Sequence, residues 1–251
     1  MLKRVMVLKI FLVNNVSNKA FSQDVNEFGG YAYTAQALSG RMSNARISKS
    51  ILAMDVFTGK KIIDIGCGDG TYSYELAQQK PALVLAIDPV ENAVKAAAKK
   101  YKEVENLRFE CVDLYQMKLP KEPYDIAVLR GVLHHLPDLE KGIEIACKLA
   151  KKILVIEPNG YNLVLKIIEK TSRYHIKHGE QSFTPARLRW IFKKYGGAVV
   201  FDEFVGLVPF FCPDKAANFL KFFEKTVESI PLLRAIACGQ YVFLVEIKNE
   251  A

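Results

Sequence analysis

The sequence predicts an α/β protein built on a doubly wound, mostly parallel sheet. Three observations carry this reading. Short β-branched runs recur from about residue 60 onward, stretches of helical periodicity separate them, and the runs are continuously apolar rather than alternating. A continuous apolar run belongs to a strand covered on both faces. A helix between two such strands marks a parallel, right-handed crossover.

The 251 residues are half hydrophobic and one quarter charged, with 15 Gly and 10 Pro. That balance supplies enough apolar surface to offset chain entropy, and excludes a disordered or collagen-like chain. Without an internal repeat, low-complexity tract or linker, residues 1–251 are expected to form a single domain.

Residues 1–57 read as an N-terminal helical cap or extension, with a helix around Ile47 to Phe57 leading into the first strand. Lys3 and Arg4 precede an apolar run, but Lys9 interrupts it and no small-residue cleavage site follows, so no targeting signal is expected. No stretch approaches the roughly 18 apolar residues that span a bilayer. Ile62–Ile65 is the first strand, and glycines and a helix from Tyr72 to Gln79 follow it. Ala82–Ile87 is the second, with an Ala-rich helix from Glu91 to Tyr101. Leu107–Val112 and Asp125–Leu129 are the third and fourth. A helix from Leu139 to Ala150 leads to the fifth, Ile153–Ile156. Thr184 and Pro185 read as N-cap and first residue of a helix that Gly196 and Gly197 stop near Tyr195. Ala198–Phe204 and Tyr241–Ile247 complete seven strands, with helical inserts at 159–183 and 206–239.

The chemistry concentrates at the carboxyl ends of these strands, where sheets of this kind bind ligands. Asp64-Ile65-Gly66-Cys67-Gly68-Asp69-Gly70 closes the first strand and enters a helix. Glycines there let the backbone turn sharply and approach a ligand beside free helix N–H groups. The spacing is D-x-G-x-G-x-G. Thr71 stands where a dinucleotide-binding G-x-G-x-x-G needs its third glycine, and no G-x-x-x-x-G-K-[ST] phosphate loop occurs. Asp88 ends the second strand eighteen positions after Gly70, where an acidic side chain can accept both ribose hydroxyls. Asp113 ends the third strand beside Leu114. Arg130, Gly131, His134 and His135 follow the fourth. Three carboxylates on successive strand ends form a joint pattern that isolated turns have no reason to produce.

Over roughly Lys60 to Gly160 the sequence resembles the class I S-adenosylmethionine-dependent methyltransferases of the small-molecule type. The resemblance implies a Rossmann-like sheet of seven strands with helices on both faces, whose antiparallel seventh strand, Tyr241–Ile247, is inserted beside the sixth. It implies S-adenosylmethionine as cofactor. Gly66, Cys67, Gly68 and Gly70 would pass beneath the methionine part, Asp64 would orient its ammonium group, and Asp88 would hold the ribose. Asp113 and Leu114 would hold the adenine, Pro89 and Val90 would supply apolar contact, and Arg130 is placed among the cofactor-side residues. In related phosphoethanolamine-type enzymes a His at the position of His135 works with acceptor deprotonation, which makes His135 the catalytic candidate. His134 is expected to face the neighbouring helix.

His175 and His178 have H-x-x-H spacing and Glu180 follows, but Gly179 breaks the helix and this class of transfer usually needs no metal. No metal is expected, and the segment reads as a polar lid. The second insert carries Phe210 and Phe211, then a helix from about Asp214 to Ile230. Its apolar stripe is Ala216, Leu220, Phe223, Val227 and Ile230, widened by Phe219 and Phe222. Asn218, Lys221, Lys225 and Glu228 form the opposite face. The reading is a mobile aromatic cover suited to a small, apolar or aromatic acceptor: a quinone-like, lipid-linked or aromatic metabolite. The same surface admits a dimer contact or a membrane-facing patch, so monomer and homodimer both stay open.

The net charge of +8 raises an RNA substrate as one rival, and a catalytically silent cofactor-binding protein is the other. However, Lys60-Lys61, Lys151-Lys152 and Lys193-Lys194 precede strands, on the side of the sheet away from the site. Cations there complement helix C-termini, which argues against nucleic acid as a partner. Five cysteines, widely spaced and without a C-x-x-C pair, predict buried or half-buried free thiols in a reducing cytoplasm.

Overall fold

The structure is a computed structural model and describes residues 37–172 and 181–248. The readings made for residues 1–36 and for the His175–Glu180 segment lie outside the described residues.

The seven strands are β1 (Lys61–Ile65), β2 (Leu83–Asp88), β3 (Leu107–Cys111), β4 (Tyr124–Arg130), β5 (Ala150–Pro158), β6 (Gly197–Val205) and β7 (Gln240–Ile247). They form one sheet in the order β3-β2-β1-β4-β5-β7-β6. The pairs within β3-β2-β1-β4-β5 are parallel, and β7 runs antiparallel between β5 and β6. Strand order reverses on either side of β1, so a crevice opens at the carboxyl ends of β1 and β4.

The described α-helices are α1 (Leu38–Met54), α2 (Thr71–Ala77), α3 (Glu91–Lys100), α4 (Leu139–Leu149), α5 (Leu163–Thr171), α6 (Pro185–Lys194), α7 (Asp214–Ser229) and α8 (Pro231–Ala237). Successive strand residues serve opposite faces of the sheet. Ile63, Leu85, Leu129 and Val155 meet Ile143 of α4 and Leu188 and Phe192 of α6. Ile62, Val84, Val128 and Leu154 meet Ile47 and Ile51 of α1 and Leu76 of α2. This double burial explains the continuous apolar runs. Side chains set the helix starts: Asp138 caps α4, Asn162 caps α5, and Thr184 caps α6, with Pro185 at its first position.

Two elements depart from the sequence reading. α1 begins nine residues before Ile47 and stops short of Phe57. Its buried positions include Ser39, Ser43, Ile47 and Ser50, at helical spacing. Small polar residues carry that period, so an apolar count misses the first turns.

The second departure is α7, which is rotated about its axis, so that Leu220 and Val227 of its predicted stripe stay half-buried while its phenylalanines do not. Phe219, Phe222 and Phe223 face solvent, with Phe222 80% exposed, while Ala217 and Glu224 are buried. The docking partner explains the rotation. α1 presents Arg46 and Ser50 here, and Arg46 Nε donates to Glu228 Oε2 at 2.9 Å while Glu228 Oε1 accepts the Gly206 N–H at 3.0 Å. Arg46 also pairs with Glu203, which accepts from Ser50 as well. The Arg46–Glu228 pair docks this helix together with Ala217, Leu220 and Val227, and its phenylalanines are left outside.

Candidate active site

The site is a cavity of about 640 Å³ at the carboxyl ends of β1, β2 and β4. The loop after β1 forms its floor. Gly66 has φ +75°, and a Cβ there would meet Val132 Cγ2 at 2.5 Å. Both the conformation and the close approach therefore require glycine. The Gly66 and Cys67 N–H groups donate to the Ile87 carbonyl at 2.8 and 3.0 Å, which anchors the turn to β2. Cys67 lies in the wall, and burial pushes its thiol up, so it is an inert lining group.

Asp88 fixes the loop from the other side. Its Oδ2 accepts the Gly68 N–H at 3.0 Å and its Oδ1 accepts the Val90 N–H at 2.8 Å. Burial raises its pKa, and the two backbone donors oppose that rise. Each oxygen keeps acceptor capacity at the cavity wall, as vicinal hydroxyls require. Pro89 and Val90 line the same wall. Asp113 caps a short 3₁₀ turn, Leu114–Gln116, by accepting the Tyr115 N–H at 2.9 Å, and Asp113 and Leu114 both line the cavity.

Arg130, at the end of β4, sits in a built cage. Its guanidinium lies 3.3 Å from the ring centre of Tyr72, Nη1 donates to Ser48 Oγ at 3.1 Å, and Nη2 donates to Asn44 Oδ1 at 3.1 Å. Burial lowers its pKa, and Tyr72, Glu75 and Asp64 oppose that. Tyr72 is itself pushed up to about 12 by burial. A fixed, stacked guanidinium on the wall is suited to a carboxylate.

His135 lines the cavity from a second 3₁₀ turn, Leu133–His135. His134, expected to face the neighbouring helix, also lines the cavity. It is buried with Nδ1 2.7 Å from Glu157 Oε2 on β5. Glu157 Oε1 also accepts the Val132 and Leu133 N–H groups at 2.9 and 2.7 Å, so one fully buried carboxyl holds the whole turn. Sequence reasoning missed Glu157, although a carboxylate just before Pro158 at a strand end was the available signal. It also missed Asn44 and Ser48 of α1.

Two expected site residues lie behind the wall rather than in it. Asp64 is buried within β1, where its Oδ2 accepts from Ser73 Oγ at 2.6 Å, and burial pushes its pKa up to about 6. Gly70, with φ +74°, starts α2, and a Cβ there would meet the Phe109 ring at 2.7 Å, so it serves close packing. The cavity continues past His135 to Leu165 and Ile168 of α5 and to residues 206–211 of the second insert. α7 does not line it.

The residues present fit S-adenosylmethionine. The glycine turn gives backbone access, Asp88 and Asp113 offer acceptors on an apolar wall, and Arg130 offers a carboxylate partner. Comparison with known proteins agrees. Residues 57–196 match the methyltransferase domain family, and the chain belongs to it; this is a class I, S-adenosylmethionine-dependent methyltransferase domain. A magnesium protoporphyrin IX methyltransferase from Synechocystis PCC 6803, solved with bound SAH, superposes with a TM-score of 0.64 at 17% identity over 96% of this chain and 99% of that one. A ubiquinone biosynthesis O-methyltransferase from Coxiella burnetii is 29% identical over 94 residues, which are 37% of this chain and 40% of that protein. A tRNA U34 carboxymethyltransferase from Desulfotalea psychrophila is 33% identical over 79 residues, 31% of this chain and 25% of that protein. The chain thus spans well under half the length of these curated relatives.

Proposed function

We propose that the protein transfers the methyl group of S-adenosylmethionine to a small, substantially apolar or aromatic acceptor. The observation that supports this is the continuity of one cavity from the carboxylates after β1–β3 to an apolar wall of Leu165, Ile168, Leu207, Val208, Phe210 and Phe211.

Bound S-adenosylmethionine supplies an electrophilic methyl group on a sulfonium, open to in-line displacement. The chain's own residues position and shield. Asp88 accepts the ribose hydroxyls, Asp113 accepts the exocyclic amine with Leu114, Pro89 and Val90 against the base, and Arg130 pairs with the carboxylate. Gly66, Cys67 and Gly68 run beneath the methionine chain. Asp64, one layer behind with Arg130 in its field, sets the potential felt by the ammonium group. Gly70 acts indirectly, by seating α2 beneath the loop. The apolar wall excludes water from the reacting atoms and orients the acceptor, and these effects carry much of the rate of a displacement. His135 takes the proton of an acceptor that must lose one. The buried thiols Cys67, Cys147 and Cys238 fit a reducing, cytoplasmic setting, although Cys111 is exposed.

The test is transfer of labelled methyl from S-adenosylmethionine into an extract divided into lipid-extractable, small-metabolite and RNA fractions. Label in the first two supports this reading. Label in RNA alone replaces the acceptor class, and cofactor binding without transfer to any fraction points to a silent binding protein.

A further inference from the structure

We propose that the outward apolar surface of α5, α7 and α8 seats the protein on an anionic lipid bilayer, with the cavity mouth facing the lipid; the inference rests on the reading that the acceptor is apolar. α8 packs against both α7 and α5, and the Asn159 and Asn162 side chains bind its last carbonyls, so the three helices form one surface. On α7 and its C-cap Ile230, positions 215, 219, 222, 226 and 230 succeed one another at steps of three or four residues, and 223 stands four after 219 and three before 226. They place Lys215, Phe219, Phe222, Phe223, Thr226 and Ile230 on one side. Phe222 and Phe219 are 80% and 65% exposed, and both rings pack edgewise on Phe223. Leu232 of α8 is 76% exposed, and Leu163, Val164 and Ile167 of α5 are exposed as well.

Charge selects the occupant. Lys170, Lys215, Lys225 and Arg234 on these helices form no ion pair among the described residues; of the acids there, Glu169, Glu224 and Glu228 are each paired with a cation, and Asp214 alone is not. Lys215 stands one turn from Phe219, inside the aromatic face. In an interface with a second copy, that ammonium would be buried without a partner, at a cost. At a bilayer it reaches lipid phosphates while its stem and the phenyl rings enter the acyl boundary. Val164 and Phe211 are exposed and also line the cavity, so the apolar surface reaches its mouth, with Glu169, Ser172 and Gln181 among the polar residues that line it. An apolar acceptor dissolved in lipid would enter there.

Flotation with vesicles reads this without any methyl transfer, so its failure is separable from failure of the proposed reaction. The protein should float with phosphatidylglycerol/phosphatidylcholine vesicles, bind pure phosphatidylcholine at least about tenfold more weakly, and come off as salt rises. The double variant Phe222→Ser, Leu232→Ser should lose binding while titrating cofactor as the wild type does, which shows that it is folded. Lys215→Gln with Lys225→Gln should weaken binding to the anionic vesicles only. Wild-type protein that stays at the bottom of the gradient overturns the proposal. So does a double variant that floats normally, or a wild-type dimer that the same substitutions dissociate.

Discussion

Gly66 carries two constraints that a single substitution confounds and a pair separates. Gly66→Ala forces a Cβ into the left-handed region and against Val132, and should cost about 1–3 kcal/mol of stability. Val132→Ala in that background should restore the steric part and leave the conformational part, measured as urea midpoints of the four proteins in the cycle. Asp64 gives a pH test. Its carboxyl, raised to about 6 by burial, gains a proton as pH falls through that value, and the attraction for a nearby ammonium goes with it. Cofactor affinity should therefore weaken between pH 7 and pH 5. Asp64→Asn, which does not titrate, should show weaker binding at pH 7 and a flatter profile. An identical slope in both proteins removes Asp64 from that role. The strand-end carboxylates were legible because their chemistry is tied to position in the sheet; that Asp64 points behind the wall was not, since the choice of face depends on Ser73 in the next helix.

Among the elements, β5 does more than complete the sheet. Its buried Glu157 accepts two N–H groups and the His134 ring, and thereby sets where the following residue, His135, stands at the cavity wall. Glu157→Gln keeps the shape and can still accept the two N–H groups, but it sets an NH₂ group where the carboxylate held the His134 ring, so the 133–135 turn should shift. The expected result is a fall of about tenfold to hundredfold in kcat, with little change in cofactor affinity, because Asp88 and the β1 loop are anchored elsewhere. A parallel loss of cofactor binding would instead show that the whole site collapses. The parallel strands and caps were readable because local rules fix them. α7 was not, because its amphipathic pattern says which side is apolar and not which side docks. Arg46, remote in sequence, pairs with Glu228 and draws that edge of the helix inward. α1 escaped because serines bury its first turns: Ser39 Oγ donates to the Phe210 carbonyl at 2.7 Å, a contact no helical hydrophobicity count registers.

At the scale of the molecule, charge and cavity divide the protein into two ends. On the amino-terminal side of the strands, Lys151 pairs with Asp125 and Lys152 with Asp55. At the carboxyl ends one cavity joins carboxylates to an apolar wall, and no helix among the described residues is long and apolar enough to cross a membrane. Everything proposed about the acceptor rests on that cavity holding S-adenosylmethionine with its ribose at Asp88. Calorimetric titration of S-adenosylhomocysteine into wild type and Asp88→Asn tests this most directly. The account predicts one site per chain in the wild type and affinity lower by about tenfold to hundredfold in the variant, about 1.4–3 kcal/mol, with a lowered melting temperature because the amide NH₂ faces one of the two backbone N–H donors. Equal affinity in both proteins, or no binding to the wild type at millimolar ligand, would contradict it.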